Sequence, residues 1–304
     1  MAFRLAKMGK LGYADVAVTR GWTGKVNVLR SKLEEPLGWK KPRRVFVNSM
    51  SDLFHEALVA KPEWSEVLTD MWQTMAATPK HTYLILTKRP HIMEREVKLL
   101  IAEAGFPVLP NVWLGTSISI QRDRDRFLPY LLETPAAKRF VSCEPLLGPV
   151  HLLGSVKTQD HWYPAPLRGG MIDWVICGGE SGPGARPMHP DWARGLRDQC
   201  QAAGVPFFFK QWGEFHPAFE GKDFEATCAV CGCSDNDPCE GGCYWIGDER
   251  ADDDMRDRCS QCKGVKCHRW PDGSYSYRVR KRVAGRLLDG QAWDEYPITG
   301  RETA

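Results

Sequence analysis

Trp174-Val175-Ile176-Cys177-Gly178-Gly179-Glu180 is an apolar run without alternation that stops abruptly at two glycines and a carboxylate. A strand that is apolar on both faces belongs in a parallel sheet covered on both sides, because neither face meets water. The same form recurs in Val45-Phe46-Val47-Asn48-Ser49-Met50-Ser51-Asp52, Tyr83-Leu84-Ile85-Leu86-Thr87-Lys88-Arg89-Pro90 and Val112-Trp113-Leu114-Gly115-Thr116-Ser117. It recurs again in Phe140-Val141-Ser142-Cys143-Glu144-Pro145 and Phe207-Phe208-Phe209-Lys210-Gln211-Trp212. Parallel α/β folds bind ligands at the carboxyl ends of their strands, so polar groups gathered at that one position in six strands predict one shared site.

Helical spacing fills the gaps between these runs. Pro62 to Ala77 places Val67, Leu68, Met71, Trp72 and Met75 on one face, and Met93 to Ala104 stops before Gly105. Ser119 to Leu132 forms a third such segment, and His189-Pro190-Asp191-Trp192 opens a fourth that runs to Gly204. Strand and helix in alternation give an α/β fold with right-handed crossovers. Since every strand carries a site element, a partial or closed (β/α) barrel fits better than an open doubly wound sheet, where only the switch point binds ligand.

The chain of 304 residues has a formal net charge of +3 and a mean hydropathy of -0.39. This balance excludes a globally basic nucleic-acid footprint, and the local runs Trp39-Lys40-Lys41-Pro42-Arg43-Arg44 and Arg278 to Arg282 read as solvated surface. No apolar stretch approaches the ~20 residues of a membrane span, and residues 1–7 lack the apolar core of a signal peptide. A cytoplasmic location is expected, without membrane contact. Eight of the 11 cysteines fall between Cys228 and Cys267, a crowding that points to metal more than to disulfides in a reducing compartment.

Two strand endings are chemically explicit. In Gly178-Gly179-Glu180-Ser181-Gly182-Pro183-Gly184 the glycines are expected to let backbone approach a ligand while the carboxylate fixes its polar part. Ser142-Cys143-Glu144-Pro145 supplies a second carboxylate, and Lys88-Arg89 and Lys210-Gln211 add cationic and amide groups suited to a carboxylate or phosphate. A Schiff-base lyase using Lys88 or Lys210 stays open as an alternative. A nucleophile elbow and a phosphate-binding Gly-Lys-Ser loop are both missing from the sequence.

The ordered blocks Asn48 to His55, Leu86 to Pro90, Val112 to Gly115, Arg139 to Gly148, Gly178 to Met188 and Phe208 to Gly213 resemble a phage-encoded radical S-adenosylmethionine (SAM) family. The resemblance covers roughly residues 1 to 216 and returns at Lys281 to Gly290. It implies a partial (β/α) barrel of radical SAM type. SAM would be held by Asn48, Ser49, Asp52, Ser117, Gly178, Gly179 and Glu180, with Glu144, Lys88 and Lys210 as the catalytic groups. Members of that family hold a four-iron four-sulfur cluster on three cysteines near their start. Here Met1-Ala2-Phe3-Arg4-Leu5 looks like the helix that follows those cysteines, so the cluster ligands are expected upstream of Met1. The implied activity is that of an isomerase rearranging an amino acid, glycine, attached to hypermodified thymine in DNA. A modified nucleotide or DNA would be the partner, beside other phage DNA-modification enzymes in the host cytoplasm.

Cys228-x2-Cys231 and Cys259-x2-Cys262 form two knuckles 28 residues apart, the spacing of a tetrahedral zinc ribbon in which each knuckle presents two thiolates. Zinc is therefore assigned to Cys228, Cys231, Cys259 and Cys262, with Cys233, Cys239, Cys243, Cys267 and His268 left for a second site or an auxiliary cluster. The expected domains are a core of residues 1–216 plus 277–304 and a cysteine-rich insert of residues 217–276. A nucleic-acid-binding or repair accessory using this ribbon is a further alternative function. A segment so small and so rich in Asp, Gly and Cys must draw its folding energy from metal. Replacing Cys259 by Ser is expected to release zinc and melt the insert while the core keeps its cooperative unfolding, as followed by metal analysis and calorimetry.

Overall fold

The computed structural model describes residues 8, 15–18, 21–49, 51–158, 160–217, 267–278 and 281–297. All six apolar runs are strands: β1 (Arg44–Val47), β2 (Thr82–Thr87), β3 (Val112–Ser117), β4 (Lys138–Cys143), β5 (Trp174–Gly178) and β6 (Phe207–Gln211). They belong to one six-stranded sheet in the order β6-β5-β4-β3-β2-β1. Chain order is kept across the sheet, with no reversal of the kind that defines a doubly wound fold. The fold is thus mixed α/β, and every described pairing between these strands is parallel.

Four long helices follow the pattern of the sequence: α1 (Trp64–Ala77), α2 (Pro90–Ala104), α3 (Gln121–Glu133) and α4 (Pro190–Ala203). The helix expected from Met93 begins three residues earlier, at Pro90, because proline's fixed φ suits the first helical position and its missing N–H costs nothing there. On α1 the expected face of Val67, Leu68, Met71, Trp72 and Met75 is buried, each side chain contributing about 1.5–3 kcal/mol relative to exposure. Among the described residues no helix is long and apolar enough to cross a membrane.

The chain divides into two compact units, Met1–Ile118, Arg122–Ser142 and Leu153–Trp174 in the first, and Ser119–Gln121, Cys143–Leu152 and Val175–Ala304 in the second. In the first, β1 to β4 pair in register, Arg44 opposite Thr82, Tyr83 opposite Val112 and Trp113 opposite Lys138. Buried Asn111, just ahead of β3, donates to the carbonyls of Met75 and His81 and so satisfies the end of α1. In the second, β5 pairs with β6, and Phe215–Pro217 pairs with Tyr275–Arg278, which also holds Cys267–Arg269. The chain therefore returns next to where it leaves, with His216 opposite Tyr277. Cys228, Cys231, Cys259 and Cys262 lie outside the described residues.

A hairpin of Val156–Lys157 and Trp162–Tyr163 in the first unit is latched to the end of α3. The Glu133 carboxylate accepts from Thr158 Oγ1 at 2.8 Å and Tyr163 Oη at 3.1 Å, and contacts His161 Nδ1 at 2.9 Å. Burial works against the charged carboxylate, but these partners outweigh it and set its pKa below the ordinary value. A depressed carboxylate stabilises the fold fully above its unfolded pKa, about 4.3, and the latch is lost as pH falls through the lower folded value. NMR signals of His161 and Tyr163 are expected to shift together in that acid window, and Glu133→Gln should abolish the transition.

Candidate ligand sites at the strand ends

In the first unit the turn after β1 puts Asn48 in the left-handed region, at φ 56, where a short amide side chain is better tolerated than most. Asn48 and Ser49 are exposed, and Ser117 at the end of β3 is buried. Asp52 is an internal bracket. Its Oδ1 accepts from the Phe54 N–H at 3.0 Å and Thr87 Oγ1 at 2.7 Å, and its Oδ2 from the Lys88 N–H at 3.1 Å and Arg89 Nη1 at 3.0 Å. Arg89 also donates to Glu56 at 2.5 Å. Burial opposes the Arg89 charge, but Glu56 and Asp52 outweigh it and raise its pKa.

The expectation of Asp52 as a cofactor ligand thus meets a carboxylate whose acceptor sites are already filled by the chain. Its visible task is to fix the turn from Thr87 to Pro90 and to aim Arg89. Lys88, by contrast, is exposed and has no carboxylate within ion-pair distance among the described residues. Arg89, expected with Lys88 as a cation for a ligand's carboxylate or phosphate, is instead paired with the chain's own acids at positions 52 and 56, which only the fold brings to the β2 end.

In the second unit a denser group forms around Glu144, the first residue after β4. Lys210 Nζ donates to its Oε2 at 2.9 Å, Gln211 Nε2 donates to its Oε1 at 3.2 Å, and the same amide reaches Ser181 Oγ at 3.2 Å. Lys210 is 48% exposed and Glu144 20%. Close by in sequence, the Glu180 carboxylate takes the Arg186 N–H and both arms of its guanidinium at 2.8–2.9 Å. The structure therefore joins Glu144 to Lys210 and adds Gln211 and Ser181, which were not singled out as site residues.

The two glycines between them do something other than make room for a ligand. A Cβ on Gly178 would come 3.3 Å from the Glu144 carboxyl carbon, so its absence seats that side chain. A Cβ on Gly179 would lie 1.8 Å from the Trp212 carbonyl oxygen, and one on Gly213, at φ 86, would lie 2.2 Å from the Glu180 carbonyl oxygen. Two backbones cross here in contact, tied by Gly179 N–H to Gln211 O at 2.8 Å and Glu214 N–H to Glu180 O at 2.9 Å. The expected close approach is real, but the approaching group is the chain's own strand-end turn.

Other metal-type side chains among the described residues of the second unit have partners or burial within the chain. Cys143, Cys177 and Cys200 are fully buried, and burial pushes the Cys143 thiol up to about 12, with Cys177 and Cys200 also raised. Buried in this way, the three pack as small apolar groups. His189, Asp191 and Asp272 place ligand-type atoms within 4.8 Å of one another. His189 Nδ1, however, accepts the Asp191 N–H as the cap of α4, so Nε2 carries the hydrogen and donates to Asp272 Oδ2 at 2.9 Å. Asp191 is paired with Arg194 at 2.9 Å, and the group acts as a clasp between α4 and the turn at Asp272.

Residues 1–297 match the family described as Protein of unknown function (DUF5131). The chain belongs to that family. No curated protein and no solved structure matches it. The matched span runs through both strand-end groups and the cysteine-rich segment.

Because the atom facing Gly179 is backbone, it cannot swing aside as a side chain could. Gly179→Ala is expected to destabilise the second unit by at least the ~1–3 kcal/mol of ordinary overpacking, visible as a lowered thermal midpoint. Gly182→Ala, where a Cβ meets nothing within 4 Å although φ is 101, should cost less.

Proposed function

We propose that this protein is a radical SAM enzyme of phage DNA metabolism, acting on a modified thymine that carries an amino acid and isomerising that amino acid. The fold would then be a partial (β/α) barrel of radical SAM type, which the sequential strand order supports. The observation that carries the reading is the Glu144–Lys210 pair with Gln211 and Ser181 beside it. An α-amino-acid head has one ammonium and one carboxylate, and this donor set offers one group of each complementary charge. A pair as exposed as this one is worth under about 1 kcal/mol, so exchanging partners with such a ligand costs little.

SAM fits this donor set through its amino-acid end: Glu144 would accept its ammonium, Lys210 would pair with its carboxylate, and Gln211 and Ser181 would hold Glu144 in orientation. Together with an electron from a reduced four-iron four-sulfur cluster, SAM would supply hydrogen abstraction from carbon. Glu180, already gripped by Arg186, sets the turn that follows β5, and the exposed Lys88 of the first unit supplies a cation suited to a phosphate. A Schiff-base role for Lys210 finds no support in the geometry. Its nitrogen is ion-paired and half-exposed, whereas amine nucleophiles of that kind are desolvated in apolar pockets or set beside another cation.

Titration calorimetry with SAM tests the reading. Wild-type protein is expected to bind, and Glu144→Gln and Lys210→Met each to weaken binding by tenfold or more, while Lys98→Met, on an exposed face of α2, leaves it unchanged. Absence of SAM binding, or equal affinity in Glu144→Gln, would falsify the proposal.

A further inference from the structure

The starts of the strands in the first unit carry a feature that the strand ends do not. In-register pairing sets Arg44 opposite Thr82 and Tyr83 opposite Val112, so the loops that lead into β1, β2 and β3 lie side by side at neighbouring strand spacings of about 4.8 Å. Those loops, residues 39–44, 78–81 and 105–111, contain Lys40, Lys41, Arg43, Arg44 and Lys80 and not one Asp or Glu. Several other surface cations of this unit are matched: Arg30 with Glu66 and Asp70, Lys32 with Glu35, Lys98 with Glu94, and Lys138 with Asp173. Among the described residues none of Lys40, Lys41, Arg43 and Lys80, all of them exposed, has a carboxylate within ion-pair distance.

One aromatic group sits within this rim. Trp39 is partly exposed, the Arg43 guanidinium lies over its ring at 4.6 Å, and His81 packs edge-on at 5.5 Å. Burial holds the His81 imidazole toward its neutral form, with Lys80 and Arg43 acting in the same direction. A solvated surface that merely kept the chain soluble would intersperse both signs, as at Arg30, Lys32, Lys98 and Lys138. An uninterrupted row of cations around an indole with a stacked guanidinium is instead the combination that tracks a phosphate backbone and stacks a base.

We propose that the cationic rim of Lys40, Lys41, Arg43 and Lys80 around Trp39 is a docking surface for single-stranded nucleic acid. The partner class follows from the proposed function, but the surface is argued from its own residues. It lies at the starts of the strands, so it would hold the polynucleotide and not the reacting base.

Fluorescence anisotropy of a labelled single-stranded DNA oligonucleotide, with the full chain and no SAM, tests it separately from SAM binding. Four phosphate contacts predict a slope of log affinity against log salt near about -3. The double reversal Lys40→Glu with Lys41→Glu should weaken binding at least tenfold and roughly halve that slope, and Lys80→Glu, on another loop, should weaken it several-fold. Lys98→Glu, an equal charge change elsewhere, should have under a twofold effect, and thermal midpoints should hold for all of these exposed variants. Trp39→Ala should weaken binding without changing the salt slope. The proposal is overturned if the double reversal binds like wild type, if affinity is independent of salt, or if polyglutamate competes as well as the oligonucleotide at equal charge, which would mark an acidic protein as the partner.

Discussion

Parallel pairing is the constraint on which the chemistry of each unit depends. When strands run the same way and start together, everything that precedes them gathers at one edge and everything that follows them at the other. In the first unit this separates the acid-free loops that lead into β1, β2 and β3 from the Asp52, Thr87 and Arg89 bracket at the strand ends. In the second it brings Glu144, beyond β4, within hydrogen-bond reach of Lys210 and Gln211 on β6, although they are 66 and 67 residues apart in sequence.

The strand-end carboxylates divide by how fully the chain satisfies them. Asp52 has four internal donors and Glu180 has three, a pattern that fixes backbone turns and leaves little for a ligand. Among the described residues Glu144 is held by two side chains and no backbone N–H, and one of those side chains is half-exposed. Side chains can exchange partners where backbone cannot. This difference, more than the presence of an acid at a strand end, is why Glu144 carries the functional reading.

The glycines around residue 179 illustrate a second division of labour. Gly178 makes space for the Glu144 side chain, while Gly179 and Gly213 allow two turns to cross in backbone contact. The donor set at Glu144 thus rests on a steric requirement met by hydrogen atoms in place of side chains, and the hydrogen bonds from Gly179 to Gln211 and from Glu214 to Glu180 lock it.

Six strands, the helices between them and the buried face of α1 were legible in the sequence, because hydrophobic period and run length are local properties. So was the pairing of polar residues with strand ends. But β1 was expected to be covered on both faces and is instead exposed to half-buried, with Phe46 44% exposed. Which carboxylate would be spent on the chain's own backbone was not legible, since Asp52 and Glu144 occupy equivalent places in the pattern and differ only in what the fold brings against them. The glycine-rich turn after β5 read as an opening for a ligand, and its true neighbour, the turn at Trp212 and Gly213, was invisible to any local rule. His189 as a helix start was local, but its clasp to Asp272, 83 residues away, was not. The basic run at Lys40 looked like ordinary solvated surface until strand pairing set Lys80 beside it and left acids out. Sequence determined the elements, because each residue's fit to helix or strand depends on its near neighbours. Tertiary structure decided the donors, acceptors and charges that meet, because those depend on distance in space, which the order of residues does not contain.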